Sequence, residues 1–141
     1  MNPTHQRTNY VFVVANGVTC TKRDLVGIET STGYLHPWTD DATYLLAGVA
    51  DDTVVGDATL TCAVDMSGPI LENLTVAGAT TIAAVGNAVY ASGPTTYSLT
   101  PTTHANPVGI VIRWRSSGVA DVLLQTIKEY KDVMIAEGWA A

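Results

Sequence analysis

Short runs of β-branched and aromatic residues, each cut off by glycine, asparagine or proline, constrain this chain more than any other feature. YVFVVANGV (10–18) ends at Asn16-Gly17, and LVGIET (25–30) and GYLHPW (33–38) flank a Ser31-Thr32-Gly33 turn. YLLAGVAD (44–51) and DATLTCAV (57–64) lie on either side of Val55-Gly56. After residue 80 the pattern returns in TTIAAV, NAVYAS and TYSLTP, punctuated by Gly86-Asn87 and Gly93-Pro94. It closes with PVGIVIRWRS (107–116) and GVADVLLQ (118–125). Val, Ile, Thr and Tyr suit a pleated, half-buried surface, and the turn residues supply the backbone angles a reversal needs. Consecutive runs therefore read as hairpins, and the expected fold class is mainly β: a compact barrel or sandwich-like domain of short antiparallel strands.

Two segments break the alternation. In SGPILENLTVAG (67–78), Ser67, Pro69 and the Ile70–Leu74 spacing predict one or two helical turns. In TIKEYKDVMIAEG (126–138), Ile127, Tyr130 and Met134 recur at helical spacing, with Lys128 and Asp132 on the other face and Gly138 as C-cap. This reads as a short amphipathic helix closing a β protein. Residues 1–9 are polar and read as an N-terminal arm. The chain thus divides into an arm with the first strand (1–20), a β-rich core (21–125) and a C-terminal helix and tail (126–141).

The second half echoes the first. Asp24-Leu25-Val26 is matched by Asn87-Ala88-Val89, Tyr34-Leu35 by Tyr97-Ser98, Gly48-Val49-Ala50 by Gly109-Ile110-Val111, and Gly56 by Gly118. One supersecondary unit used twice, or a chance likeness of Thr/Gly-rich strands, accounts for the echo. Asp51, Asp52 and Asp57 are mostly not shared between the copies, so they belong to a turn and not to a repeated device.

Composition narrows the function. With 47% hydrophobic and 14% charged residues, the 141-residue chain has the composition of one folded domain. Nine acids and no Lys or Arg lie between Asp24 and Ile112, and the net charge is −6. A nucleic-acid binder needs a basic stripe, and four separate basic spots on an acidic body do not make one. No apolar run is long enough to span a bilayer, and MNPTHQRTNY lacks the apolar core of a signal peptide. The chain is expected to be made and kept soluble. Cys20 and Cys62 form no CxxC, and two buried reduced thiols are the expected state.

No catalytic constellation is assembled. Asp51, Asp52 and Asp57 lack the alternating spacing and closing Glu of a calcium loop, and no Lys follows the glycines as a phosphate loop requires. His5, His36 and His104 share no metal-ligand spacing, and no GxSxG or HExxH occurs. The chain is expected to be no enzyme and to hold no cofactor or metal. In Arg113-Trp114-Arg115, strand alternation puts both arginines on one face. Either Trp114 is core with two solvated arginines, or the arginines dock an acidic partner.

The residues TGYLHPWTD…YLLAGVADDTVVGDATLTCAV, followed by VGNAVYAS…YSLTP…NPVGIVI, resemble the capsid decoration (cement, or head-stabilising) proteins of tailed bacteriophages. The likeness covers roughly 21–124. It is carried by Thr32-Gly33-Tyr34, Ala47-Gly48-Val49-Ala50, Asp51-Asp52 and Gly56-Asp57. The resemblance implies a β-tulip-like domain without catalysis on the virion exterior, bound to the major capsid protein and often trimeric. It implies an arm that orders on the shell, so Asn9, Tyr10 and Phe12, together with Arg113 and Arg115, are the candidate capsid contacts. An alternative is a fibre, spike or tail accessory domain trimerised through Ile127, Tyr130, Met134 and Trp139. A third is a carbohydrate-binding module or small β enzyme, with Tyr34, Trp38 and Tyr97 as candidate sugar-stacking rings.

Overall fold

A computed structural model of the chain describes residues 9–104 and 106–125. The first half supplies β1 (Asn9–Val13), β2 (Thr19–Cys20), β3 (Leu25–Glu29), β4 (Leu35–Pro37), β5 (Tyr44–Ala50), β6 (Val54–Val55) and β7 (Thr61–Asp65). The second supplies β8 (Ile70–Ala77), β9 (Ala88–Ala91), β10 (Tyr97–Ser98), β11 (Gly109–Ser116) and β12 (Val119–Leu124). One sheet runs β1-β7-β5-β3-β4, and a closed barrel runs β8-β12-β11-β9-β10. The two orders are the same once β1, β3, β4, β5 and β7 are matched with β8, β9, β10, β11 and β12. The barrel closes where β10 meets β8 in parallel, while the first sheet closes through one parallel bridge, Val14↔Leu35. The β2–β6 ribbon has no counterpart among the described residues.

The correspondence extends to single hydrogen bonds. Val26 faces Gly48 across β3–β5, and Val89 faces Gly109 across β9–β11. Arg23 N donates to Ala50 O (2.8 Å) and Ala50 N to Asp24 O (3.0 Å). Gly86 N likewise donates to Val111 O (2.8 Å) and Val111 N to Asn87 O (3.0 Å). A Cβ on Gly48 would overlap Asp65 O, and one on Gly109 would overlap Leu123 O. These two glycines recur because β7 and β12 cross close behind them, where a side chain has no room.

Two of the sequence pairs are out of register. Tyr97 lies beside Val76 in the closing contact and Leu35 lies beside Val14, so Leu35, not Tyr34, is the counterpart of Tyr97. Both are buried, whereas Tyr34 is at the surface. Val76 N donates to Gly118 O as Val14 N donates to Leu60 O, both at 2.9 Å, so Gly118 corresponds to Leu60. Gly56 belongs to the ribbon, where its N–H donates to Val18 O at 2.7 Å.

The helical turns expected in SGPILENLTVAG are strand β8 instead. Asn73 takes φ 55° there and forms a bulge between the Leu71↔Val122 and Leu74↔Ala120 pairs. The extra residue puts Leu71 and Leu74, three apart, on the same inward face, imitating helical spacing. TTIAAV is not a strand either. Ile82–Ala84 form a single 3-10 turn, capped by the Thr81 hydroxyl, which accepts from Ala83 N at 3.3 Å. The amphipathic helix over 126–141 and arm residues 1–8 lie outside the described residues.

Two apolar clusters fill the fold. Val14, Cys20, Val26, Leu35, Cys62 and Val64 are among those inside the first unit. Val76, Val89, Tyr97, Val111, Val122 and Leu124 are among those inside the second. Leu25, Trp38 and Val49, although they come from the first unit, join the second unit's cluster. They lie on the outer face of β3–β5, where the second unit covers them. Leu25 N donates to Pro94 O (3.1 Å) and Trp38 Nε1 to Ala91 O (2.8 Å) across this joint. Gly27 leaves room for the Trp38 ring, since a Cβ there would lie 2.9 Å from Trp38 Cε3.

Candidate interaction surface

The candidate contacts fall in two places. Asn9, Tyr10 and Phe12 are on β1, at the end of the first sheet, with β7 on one side and no described strand along the other. Tyr10 is 44% exposed and Val11 65%, although they point to opposite faces, so the start of the strand stands out from the fold. Phe12 is half-buried and packs against the first cluster, which anchors the strand.

Arg113 and Arg115 are on β11, but strand alternation does not describe them. The β11–β12 register shifts between Val111 and Arg113 and again between Trp114 and Ser116. Arg115 is bound within the chain: its Nε donates to Asp121 Oδ1 at 2.6 Å and a terminal nitrogen to Oδ2 at 2.8 Å. Asn73 N, at the β8 bulge, also donates to Asp121 Oδ1 (3.0 Å). Asp121 is 4% exposed, and no other polar or charged side chain among the described residues is so buried. The Arg115 hydrogen bonds, the Asn73 N–H and nearby Arg113 hold its carboxyl below the usual carboxylate range, against the effect of burial. Of the two arginines, therefore, Arg113 is exposed and Arg115 ties β11, β12 and β8 together. Trp114 is half-buried, its Nε1 donating to Ala79 O at 3.0 Å.

Other groups singled out from the sequence have structural duties. Asp57 Oδ1 accepts from Leu60 N (2.7 Å), Thr59 N (2.8 Å) and Thr59 Oγ1 (2.8 Å), which lower its pKa and fix the turn before β7. Among the described residues, no three His, Cys, Asp or Glu side chains are grouped to hold a metal ion. His104 Nδ1 lies 3.1 Å from Asp40 Oδ2, and Thr102 Oγ1 donates to Asp40 Oδ1 at 2.8 Å. These contacts pin the loop before β11 to the loop after β4. His36 Nε2 is 3.8 Å from Glu29 Oε1. Cys20 and Cys62 are free, buried thiols; burial and the neighbouring Cys62 sulfur push Cys20 up to about 12. The three rings considered for sugar stacking do not form a platform: Trp38 and Tyr97 are buried, and only Tyr34 is exposed.

One surface was not visible in the sequence. Ile70 pairs with Leu123 across β8–β12, Leu123 with Ile110 across β12–β11, and Ile110 with Ala88 across β11–β9. Ile70, Leu123 and Ile110 are all exposed, as is Ile112, two residues along the same face of β11. Together they make an apolar row on the outside of the barrel. Alternation placed one apolar set inside and left a second outside, and nothing local distinguishes the two.

No known protein family, curated protein or solved structure matches the chain.

Proposed function

We propose that the chain is a structural virion protein that binds the outside of a tailed-phage capsid and stabilises the shell. The observation that carries this reading is the position of β1. An edge strand with both faces partly exposed at its start, preceded by a polar arm, is suited to add to a partner's sheet or to lie along its surface. The resemblance of residues 21–124 to decoration proteins points the same way. The structural duties of Asp57, Arg115, Asp121, Asp40 and His104 leave the surface to binding. The fibre or tail reading rests on Ile127, Tyr130, Met134 and Trp139, which lie outside the described residues.

A protein of this kind acts by linkage. It binds the assembled shell and not the dissociated subunits, so it shifts the equilibrium toward assembly by mass action. Many copies, each with modest affinity and spanning neighbouring subunits, add their effects through multivalency. No chemistry at a bound ligand is required, only surface and geometry.

Val11→Asp tests the reading, because Val11 is exposed and the substitution leaves both clusters intact. Occupancy on heads prepared without the chain should fall at least tenfold at a fixed free concentration, with an unchanged circular dichroism spectrum. Wild-type occupancy for the variant would remove β1 from the contact. Truncation of the arm has to stop before Asn9, since residues 9–13 pair with β7 and Phe12 and Val14 pack in the first cluster.

A further inference from the structure

The duplication gives the apolar row on the barrel a counterpart in the first unit, and the two rows have different fates. By their register against the paired glycines Gly48 and Gly109, Val49 corresponds to Ile110, Asp65 to Leu123 and Asn9 to Ile70. Val49 is 7% exposed and belongs to the second unit's cluster, so it is covered. Beyond it the first row turns polar, at Asp65 and Asn9. The second row stays apolar throughout, and Ile110 is 46% exposed among the described residues. Three large aliphatic side chains where the first unit has one make the pattern of a face that is covered.

The strand order also places a cover. Strand β7 corresponds to β12, and the chain leaving β7 goes on to form the second unit, in whose cluster Val49 is buried. The chain leaving β12 at the equivalent point is residues 126–141, and it departs from the row itself. Leu123 is a member of the row, and Gln125 N donates to Val108 O (2.8 Å) just ahead of β11. Ile127 follows two residues later, within about 7 Å of Gln125. From there the sequence repeats apolar residues at helical spacing, Ile127, Tyr130 and Met134, with Lys128 and Asp132 on the other side. A helical rise from Ile127 to Met134 is about 10 Å. The row from Ile70 through Leu123 to Ile110 crosses two strand spacings, also about 10 Å.

We infer that residues 126–141 fold back over the barrel of their own molecule and seat Ile127, Tyr130 and Met134 on the row of Ile70, Leu123, Ile110 and Ile112. The segment then does for the second unit what the second unit does for the first. The contact is intramolecular, so the same apolar side chains are not spent on holding copies of the chain together. It is independent of capsid binding at β1 and stands or falls without heads present.

Limited trypsin digestion of the full chain tests it, because Lys128 and Lys131 are cleavage sites inside the segment and the product masses identify each cut. A seated segment has to lift off the barrel before it is cut. Ile110→Glu, at an exposed position that leaves both clusters intact, should speed cleavage at Lys128 and Lys131 at least tenfold over wild type. Met134→Glu, on the other side of the contact, should do the same. Val55→Glu, at an exposed apolar position on the β2–β6 ribbon, should leave the rate unchanged. Mixed in equal amounts, the Ile110→Glu and Met134→Glu chains should both still be cut fast. Cleavage of Ile110→Glu at the wild-type rate overturns the inference, since the segment would then not lie on the row. So does an equal acceleration by Val55→Glu. Protection restored in the mixture overturns it as well, because the intact segment of one chain would then be seated on the intact row of another.

Discussion

Asp121 shows how a carboxylate can be kept from solvent on the wall of a small β barrel, since its strand neighbours Ala120 and Val122 fill the interior. Its two oxygens meet the Arg115 fork and the Asn73 N–H, so three strands are joined at one carboxylate. Removing the arginine strands a buried charge, which costs more than the pair contributes when intact. Arg115→Ala is expected to lower the thermal midpoint at pH 7 by several degrees. The direction with pH follows from the lowered pKa values of Asp121 and Asp57, whose first causes are the Arg115 and Leu60 hydrogen bonds. The unfolded chain takes up these protons at higher pH than the folded one. Wild-type stability is therefore full above the ordinary carboxylate pKa of about 4 and is lost as pH falls below it. In the variant only the Asn73 N–H and Arg113 still lower the Asp121 pKa, so the gap between the midpoints of variant and wild type should be narrower at pH 3 than at pH 7. Equal differences at both pH values would show that the pair is not what the substitution disturbs.

At the scale of elements, the duplication accounts for a residue that looks misplaced. Arg23 has φ 74°, which side chains with a Cβ adopt at a cost, and its counterpart is Gly86 at φ 91°. The conformation is imposed by the shared hydrogen bonds to Ala50 and Val111, and the first unit tolerates an arginine there. Gly86→Arg should cost about 1–2 kcal/mol, while Arg23→Gly should stay within about 1 kcal/mol of wild type because relief of strain offsets the freer unfolded chain. No atom lies within 4 Å of a Cβ built on Gly86, so packing does not obscure the comparison. Chemical denaturation of the two variants checks it, and equal losses would contradict it. The same elements explain what the sequence could and could not tell. Hairpins β3–β4 and β11–β12 were legible because turn residues and alternation are local signals. The Gly48–Gly109 echo was legible because close backbone approach leaves only one residue type. Strand β8 was not, since a bulge at Asn73 gives Leu71 and Leu74 a helix-like spacing. The Asp121–Arg115 pair was hidden by two register shifts in β11, and the match of Leu35 with Tyr97 shares no side-chain chemistry.

At the scale of the whole molecule, a five-stranded sheet and a closed barrel of matching strand order share one joint, and the exposed features lie at different places on the two. The β1 edge offers backbone and the Tyr10 and Val11 side chains, while the barrel's outer face offers the apolar row of Ile70, Leu123, Ile110 and Ile112. The proposed function requires that β1 make its contact with assembled capsid and not with free subunits. The most direct measurement is co-sedimentation of the purified chain with tailed-phage heads that lack a decoration protein, alongside the unassembled capsid protein. Saturable pelleting with heads and no complex with free subunits are the expected outcome. A chain left in the supernatant with heads, or one that binds free subunits equally well, would contradict it.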